Sequence, residues 1–118
     1  MPPLRRLGGS LTLPGSLRRC ATILRIQAPP LLPVRVHLVA GLSDEGGAYS
    51  WGDCARGPKV FTIRLDAALA RDYPEVAALI LVHEWAHTHA WAERDAMHGR
   101  EFGLAYSYLY RLWMAEIE

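Results

Sequence analysis

The chain has 118 residues, a formal net charge of +1, and 51% hydrophobic against 21% charged residues, values typical of one soluble globular domain. Only two cysteines occur, Cys20 and Cys54, which excludes a disulfide framework; we interpret both as reduced thiols in a reducing compartment, with a single bridge between them as the alternative. No apolar run approaches the roughly 18 residues that span a bilayer, so we expect a cytoplasmic protein that does not contact a membrane.

The N-terminal part of the chain carries only positive charge. Residues 1–43 contain six arginines and no acidic residue, whereas residues 44–118 contain seven basic and twelve acidic residues. Residues 1–13 mix Pro, Gly and Ser and are predicted to form a loose arm, which leaves residues 14–118 as a single domain. The N-terminal arginines favour a weak, non-specific nucleic-acid contact that depends on phosphate charge. The simpler alternative is a solvated basic face.

One helix and three strands are predicted next. The helix begins at Pro14 and ends before the "APPLLP" segment, since proline cannot continue a helix. Its apolar stripe comprises Leu17, Cys20, Ala21 and Leu24. The predicted strands are "VRVHLVA" (34–40), "AYSWGDC" (48–54) and "KVFTIRLD" (59–66). In the third strand, alternation places Phe61, Ile63 and Leu65 on one face.

Two helices are predicted after the strands. The first begins near Pro74, a favourable first-turn residue, and runs to about Ala92. The second begins near Gly99 and continues close to the C-terminus. Its stripe comprises Phe102, Tyr106, Leu109 and Trp113. The order helix, three strands, helix, helix predicts an α+β fold.

The segment "ILVHEWAHTHAW" (80–91) places polar residues inside an apolar helix, and burying polar groups without partners costs free energy. His83 and His87 are four residues apart, so both imidazoles point to one side of the helix and reach one metal ion at about 2.0–2.1 Å. Glu84 lies about 100° round the helix from His83. At that position the Glu84 carboxylate can take a proton from a metal-bound water molecule, but it is badly placed to bind the metal itself.

A catalytic zinc ion takes three protein ligands and leaves a fourth position open, so a third ligand is needed from elsewhere. His98 lies eleven residues after His87, which is enough for the helix to end and the chain to reverse. Gly99 allows a sharp turn directly after it. Glu101 is the alternative third ligand; otherwise it caps the second helix or orients a histidine.

Other polar residues near the motif have simpler interpretations. His89 is six positions from His83 and faces away from the same metal, so we expect it at the surface or behind a ligand. His37, on the first strand, is interpreted as structural. Tyr106 either packs in the core or donates a hydrogen bond to an oxyanion.

The combination of "HEWAH", a short polar linker and "HGREF" resembles the metal site of the SprT-like zinc proteases, which pair HExxH with a downstream His-Gly-x-x-Phe or His-Gly-x-x-Trp. The longer string "VHEWAHTHAW…HGREFGLAYSYLYR" is similar to small phage- and prophage-encoded metallopeptidases of the minimal-zincin type. The resemblance is strong over residues 80–111, looser over residues 51–66, and absent from residues 1–33.

This resemblance implies a minimal zincin fold, in which a small, mostly antiparallel three-stranded sheet packs on the HExxH helix and a second helix is C-terminal. It implies that His83, His87 and His98 bind zinc and that Glu84 is the catalytic acid/base in peptide-bond hydrolysis. It also implies that the strand before the metal helix, residues 59–66, lies at the cleft edge and binds a protein or peptide substrate as an added strand. A phage- or prophage-encoded chain would be expressed in a bacterial cytoplasm.

A zinc-containing, DNA-associated binding module with little or no turnover is the alternative function. A purely structural zinc site needs no general base, so the presence of Glu84 favours the metallopeptidase.

Overall fold

The computed structural model describes residues 13–42, 51–93 and 98–117. In chain order its elements are α1 (Gly15–Gln27), β1 (Val34–Val39), β2 (Gly52–Arg56), β3 (Phe61–Asp66), α2 (Ala67–Asp72), α3 (Pro74–His89), a 3₁₀ turn (Trp91–Glu93) and α4 (Arg100–Ile117). The protein is therefore α+β, as predicted. The predicted loose arm lies outside the described residues except for Leu13. None of the described helices is both long and apolar enough to cross a membrane.

Helix α1 buries the face that its apolar stripe predicted. Leu17, Cys20 and Leu24 have no exposed surface. The helix packs on α3, where the Cys20 thiol lies 4.0 Å from the carbonyl oxygen of Ala78. Cys20 and Cys54 are both free thiols, so the alternative disulfide between them is not formed.

Three arginines of the basic N-terminal part bind groups of the protein itself. Arg18 donates to the carbonyl of Leu13 at 3.2 Å, Arg19 to the carbonyl of Glu116 at 2.9 Å, and Arg25 to the carbonyl of Val34 at 3.0 Å. Two others, Arg5 and Arg6, lie outside the described residues. The nucleic-acid contact through the N-terminal arginines therefore stays a prediction.

The three strands form one sheet in the order β1-β3-β2. β1 and β3 are parallel, with Val34 opposite Phe61, whereas β2 and β3 are antiparallel, with Gly52 opposite Leu65. The sheet is therefore mixed, which corrects the expectation of a mostly antiparallel sheet. The parallel pair arises because the chain leaves β1, forms β2 at the far edge, and returns as β3 between the two.

β3 is the central strand and has a partner on each side. Its residues Phe61, Ile63 and Leu65 are buried, as their alternation predicted. The expectation that the strand of residues 59–66 lies at the cleft edge is wrong, because both of its edges are already hydrogen-bonded to neighbouring strands. Among the described strands, β1 and β2 are the edges. β2 comprises Gly52–Arg56, so it ends two residues after the predicted strand (48–54), and residues 48–50 of that prediction lie outside the described residues.

A short helix that the sequence analysis missed, α2, follows β3 directly. Asp66 caps its N-terminus, since its Oδ2 accepts a hydrogen bond of 3.1 Å from the Leu69 N–H. The helix ends at Tyr73, whose N–H donates to the carbonyl of Leu69 at 2.7 Å, and Pro74 then begins α3. An aspartate before a run of alanine and leucine is the signal that predicts such a helix.

Helix α3 is buried on most of its circumference because it packs against α1, α4 and the sheet. Residues without exposed surface occur on several of its sides: Ala77, Ala78, Leu81, Val82, Trp85 and Ala86. The helix ends at His89, and the 3₁₀ turn takes the place of its predicted last turn. This packing holds the HExxH segment against the rest of the core.

The sheet comes close to α3 at Gly52. A Cβ atom at this position would lie 2.8 Å from Ile80 Cγ2 and 3.1 Å from the carbonyl oxygen of Arg64. We expect Gly52→Ala to lower the free energy of unfolding by about 1–3 kcal/mol, the usual effect of overpacking a core. Urea denaturation at a fixed zinc concentration measures this change.

Gly103→Ala is the matched control, since a Cβ atom there would meet nothing within 4 Å and the residue lies in helix α4. Because alanine has a greater helix propensity than glycine, Gly103→Ala should raise the free energy of unfolding by up to about 1 kcal/mol. Equal effects of the two substitutions would contradict the close packing at Gly52.

Candidate metal centre

Helix α3 presents His83 and His87 on the same side, one turn apart. Their ring centroids are 5.2 Å apart, and both side chains are partly exposed although the helix around them is buried. The i, i+4 spacing therefore produces the pair of imidazoles that the sequence predicted.

His98 joins this pair from the segment just before α4. Its ring centroid lies 4.9 Å from that of His83 and 5.1 Å from that of His87, and the Nε2 atoms of His98 and His83 are 3.2 Å apart. The three residues form one group in which candidate ligand atoms all lie within 4.8 Å of one another. Glu101 is exposed and is not part of this group.

The geometry and protonation of the three histidines fit a divalent metal ion. Ligand atoms at about 2.0–2.1 Å from a tetrahedral ion are about 3.4 Å apart, close to the separation of His83 and His98. Burial lowers the pKa of His87 to about 4, with a further contribution from the charges of His83 and His98. Burial followed by the charge of His98 also lowers the pKa of His83. These two rings are therefore neutral near pH 7, with a lone pair for a metal.

Phe102 orients the histidine rings from the first turn of α4. Its ring centroid lies 5.1, 4.4 and 4.7 Å from those of His83, His87 and His98, respectively. Because the phenyl ring touches all three, it limits the rotations that would separate them. The stripe on α4 predicted only that Phe102 is buried; its contact with the whole cluster was missed.

Glu84 lies on the neighbouring side of α3 and is buried, with 9% of its surface exposed. It lines a pocket of about 310 Å³ together with His83 and Tyr106. Burial raises the Glu84 pKa to about 7, and the negative charge of Asp53 adds to this shift. The arrangement places a carboxylate that can take up a proton beside the histidine cluster.

Asp53 on β2, whose negative charge contributes to the raised pKa of Glu84, was not singled out by the sequence analysis. Its carboxylate receives two hydrogen bonds from Arg64 on β3, one of them from Nε to Oδ1 at 2.9 Å. The two residues are opposite each other in the antiparallel register. Only the pairing of β2 with β3 brings them together, so no local pattern in the sequence indicates this contact.

His89 and Tyr106 occupy different places relative to the cluster. His89 Nε2 lies 2.8 Å from the carbonyl oxygen of Ala28, which also accepts a hydrogen bond of 3.0 Å from the Trp85 indole. His89 is therefore attached to the segment after α1 and does not join the metal cluster. Tyr106 does face the site, with its ring centroid 5.5 Å from that of His83.

Comparisons of the chain with models of protein families, with curated proteins and with solved structures give no match. The resemblance to the SprT-like proteases therefore depends on the motif residues alone. The three-histidine cluster could hold a metal ion on its geometry, independently of that resemblance.

Proposed function

We propose that the protein is a zinc-dependent metallopeptidase of the SprT-like, minimal-zincin type. The observation that carries this proposal is the convergence of His83, His87 and His98 with the buried Glu84 beside an open pocket. Three imidazoles alone would also serve a structural metal site. A buried carboxylate next to them is a base that a structural site does not need.

The donor set supports zinc as the metal. Imidazole nitrogens also suit copper, iron and nickel. Three histidines with the HExxH spacing, and a glutamate too far round the helix to ligate, are typical of catalytic zinc. When bound, zinc would polarise the scissile carbonyl and lower the pKa of a water molecule toward about 7.

Glu84 and Tyr106 have separate roles in the proposed reaction. The Glu84 carboxylate accepts a proton from the attacking water and then delivers it to the leaving amine nitrogen. Its position in the pocket, next to His83, supports this role. Tyr106 lines the same pocket from α4 and is the candidate hydrogen-bond donor to the developing oxyanion.

The edge of the sheet supports a polypeptide as the substrate. The hydrogen bonds from Asp66 N–H to Trp51 O and from Gly57 N–H to Val60 O fix the antiparallel pattern between β2 and β3. Because the pattern alternates, Cys54 and Arg56 direct their N–H and C=O groups away from β3. No other described strand pairs with this edge of β2.

The same edge begins at the pocket, because Gly52, the first residue of β2, lines it together with Glu84 and His83. We therefore propose that β2, in place of the central β3, pairs with an extended substrate.

Arg56→Pro tests this substrate edge. Proline removes an N–H that points away from β3, so the sheet should persist while one substrate hydrogen bond is lost. We expect KM for a peptide to rise about five-fold, corresponding to a hydrogen bond of about 1 kcal/mol, with zinc content unchanged. Arg56→Ala controls for loss of the side chain, whose guanidinium lies 5.7 Å from the Phe61 ring centroid. Equal KM values for the two variants would exclude pairing at Arg56.

The proposed activity itself is tested with an unfolded protein as the substrate. Mass spectrometry after incubation with the zinc-loaded chain should detect products of internal peptide-bond hydrolysis, and a chelator should prevent their formation. An intact substrate after prolonged incubation with zinc-loaded protein would contradict the proposal.

A further inference from the structure

A second pocket, which we call the three-helix pocket, lies where α1, α3 and α4 meet. Its volume is about 370 Å³, within the range of about 300–1,000 Å³ that is usual for small-molecule sites. Its walls, from α1, α3 and α4 in turn, include Arg19, Glu75, Leu79, Trp113, Met114 and Ile117. The pocket beside Glu84 is lined by Trp51 and Gly52 instead, and the two pockets have only Leu79 in common. The three-helix pocket is therefore separate from the candidate metal centre.

The interior of the three-helix pocket is apolar. Trp113 is buried, Leu79 and Met114 are partly exposed, and Ile117 near the end of α4 is 47% exposed. Because Trp113 and Ile117 are four residues apart, they lie on the same side of α4 and form one apolar wall. A ligand with an aliphatic body would remove both its own apolar surface and the exposed surface of Ile117 from water, which favours binding.

Two charges of opposite sign line the pocket from different helices. Arg19 belongs to α1 and Glu75 to the first turn of α3, and both side chains are exposed. Arg19 uses only Nη2 for its hydrogen bonds to Glu116, so Nε and Nη1 can donate to a ligand. The Glu75 carboxylate forms no hydrogen bond or ion pair with the residues that the structure describes. These two walls therefore complement a ligand that carries both a carboxylate and an ammonium group.

We propose that the three-helix pocket binds a small zwitterion with an apolar body, of the class of apolar amino acids and short apolar peptides with free termini. The apolar side chains lie against Trp113 and Ile117, the carboxylate faces Arg19, and the ammonium group faces Glu75. A fatty acid would leave Glu75 without a partner, and an aliphatic amine would leave Arg19 without one. The inference goes beyond the proposed peptidase function and does not require it, because none of the pocket residues belongs to the metal centre.

Calorimetric titration with leucine, leucyl-leucine and glycylglycine tests the ligand class. The zinc-loaded Glu84→Gln protein serves as the background, so that the dipeptides are bound without being cleaved. Leucine, leucyl-leucine or both should bind at least ten-fold more tightly than glycylglycine, since burial of a leucine side chain contributes at least that much. Equal affinities for the three ligands, or no binding of any of them, would overturn the proposal.

Blocking one terminus of leucyl-leucine at a time tests the two charges. N-acetylation removes the ammonium group and C-terminal amidation removes the carboxylate, and each should weaken binding by about five-fold. In Glu75→Gln the effect of acetylation should disappear while that of amidation remains, and Arg19→Gln should show the reverse, because each substitution removes the partner of one terminus. If acetylation and amidation have the same effects in both variants as in the background protein, Arg19 and Glu75 do not bind the termini and the proposal is overturned.

Ile117→Ser tests the apolar wall and should weaken binding of leucyl-leucine by about five-fold, since it removes a contact with the aliphatic body. Leu104→Ser is the matched control, because Leu104 is also exposed on α4 but does not line the three-helix pocket. Equal affinities of the two variants would mean that the dipeptide binds elsewhere, such as at the zinc ion, and would overturn the proposal. So would an Ile117→Ser protein with a changed oligomeric state and unchanged dipeptide binding, since the pocket would then be an interface between copies of the chain.

Discussion

Replacing His98 with alanine should weaken zinc binding by more than about 100-fold. Loss of a hydrogen-bond partner behind a metal ligand already weakens binding by about 10–100-fold, so loss of one of three ligands should exceed this. His98 belongs to the same group of ligand atoms as His83 and His87, and it is the one that the α3 helix does not supply. Competition with a chromogenic chelator measures the dissociation constant.

Two controls accompany His98→Ala. His89→Ala removes a histidine whose ring contacts the carbonyl of Ala28 outside the cluster, so zinc affinity should stay within about two-fold while stability falls by about 0.5–1.5 kcal/mol. Glu101→Gln tests the alternative third ligand and should also leave the affinity unchanged. A large loss with Glu101→Gln and a small one with His98→Ala would reverse the assignment.

Glu84→Gln should retain zinc and lose hydrolysis. Glutamine has nearly the same size and shape, but it cannot accept the proton from the attacking water, and general-base catalysis contributes about 10²–10⁴-fold to a rate. We expect kcat to fall by that factor while KM and zinc content stay close to those of the wild type. Steady-state kinetics with a fluorogenic peptide, together with metal analysis of the same samples, measure both effects.

Asp72→Asn is the control for removing a carboxylate in general, since Asp72 is exposed and paired with its neighbour Arg71. Its kcat should equal that of the wild type. A Glu84→Gln protein with full activity would exclude Glu84 as the base and, with it, the proposed mechanism.

The local patterns of the sequence predicted the three longer helices and the clustering of His83, His87 and His98. Helical stripes depend on a 3.6-residue period, which the chain follows between Gly15 and Gln27 and again between Arg100 and Ile117. The approach of His83 to His87 follows from the same period. His98 is less local: the length of the linker and Gly99 allow it to reach the metal, Glu101 was the alternative, and the resemblance to the SprT-like proteases implied His98.

The order of the strands could not be predicted, because each strand shows only which of its faces is buried. Nothing in residues 59–66 distinguishes a central strand from an edge strand that is covered on one face. The resemblance implied that this strand lies at the cleft edge, and that expectation was wrong. The contact between Asp53 and Arg64 and the close approach at Gly52 follow from this pairing and were missed with it. Helix α2 was missed because its six residues show less than two turns of the helical period.

Zinc titration of the cleavage rate tests most directly whether His83, His87 and His98 hold a catalytic ion. Metal-free protein at a concentration well above its dissociation constant is mixed with increasing zinc, and hydrolysis of an unfolded protein is followed at each ratio. The rate should be negligible without zinc, rise in proportion to the zinc added, and stop rising at one zinc per chain. Hydrolysis that proceeds at the same rate without zinc, or no hydrolysis at one bound zinc per chain, would contradict a zinc peptidase.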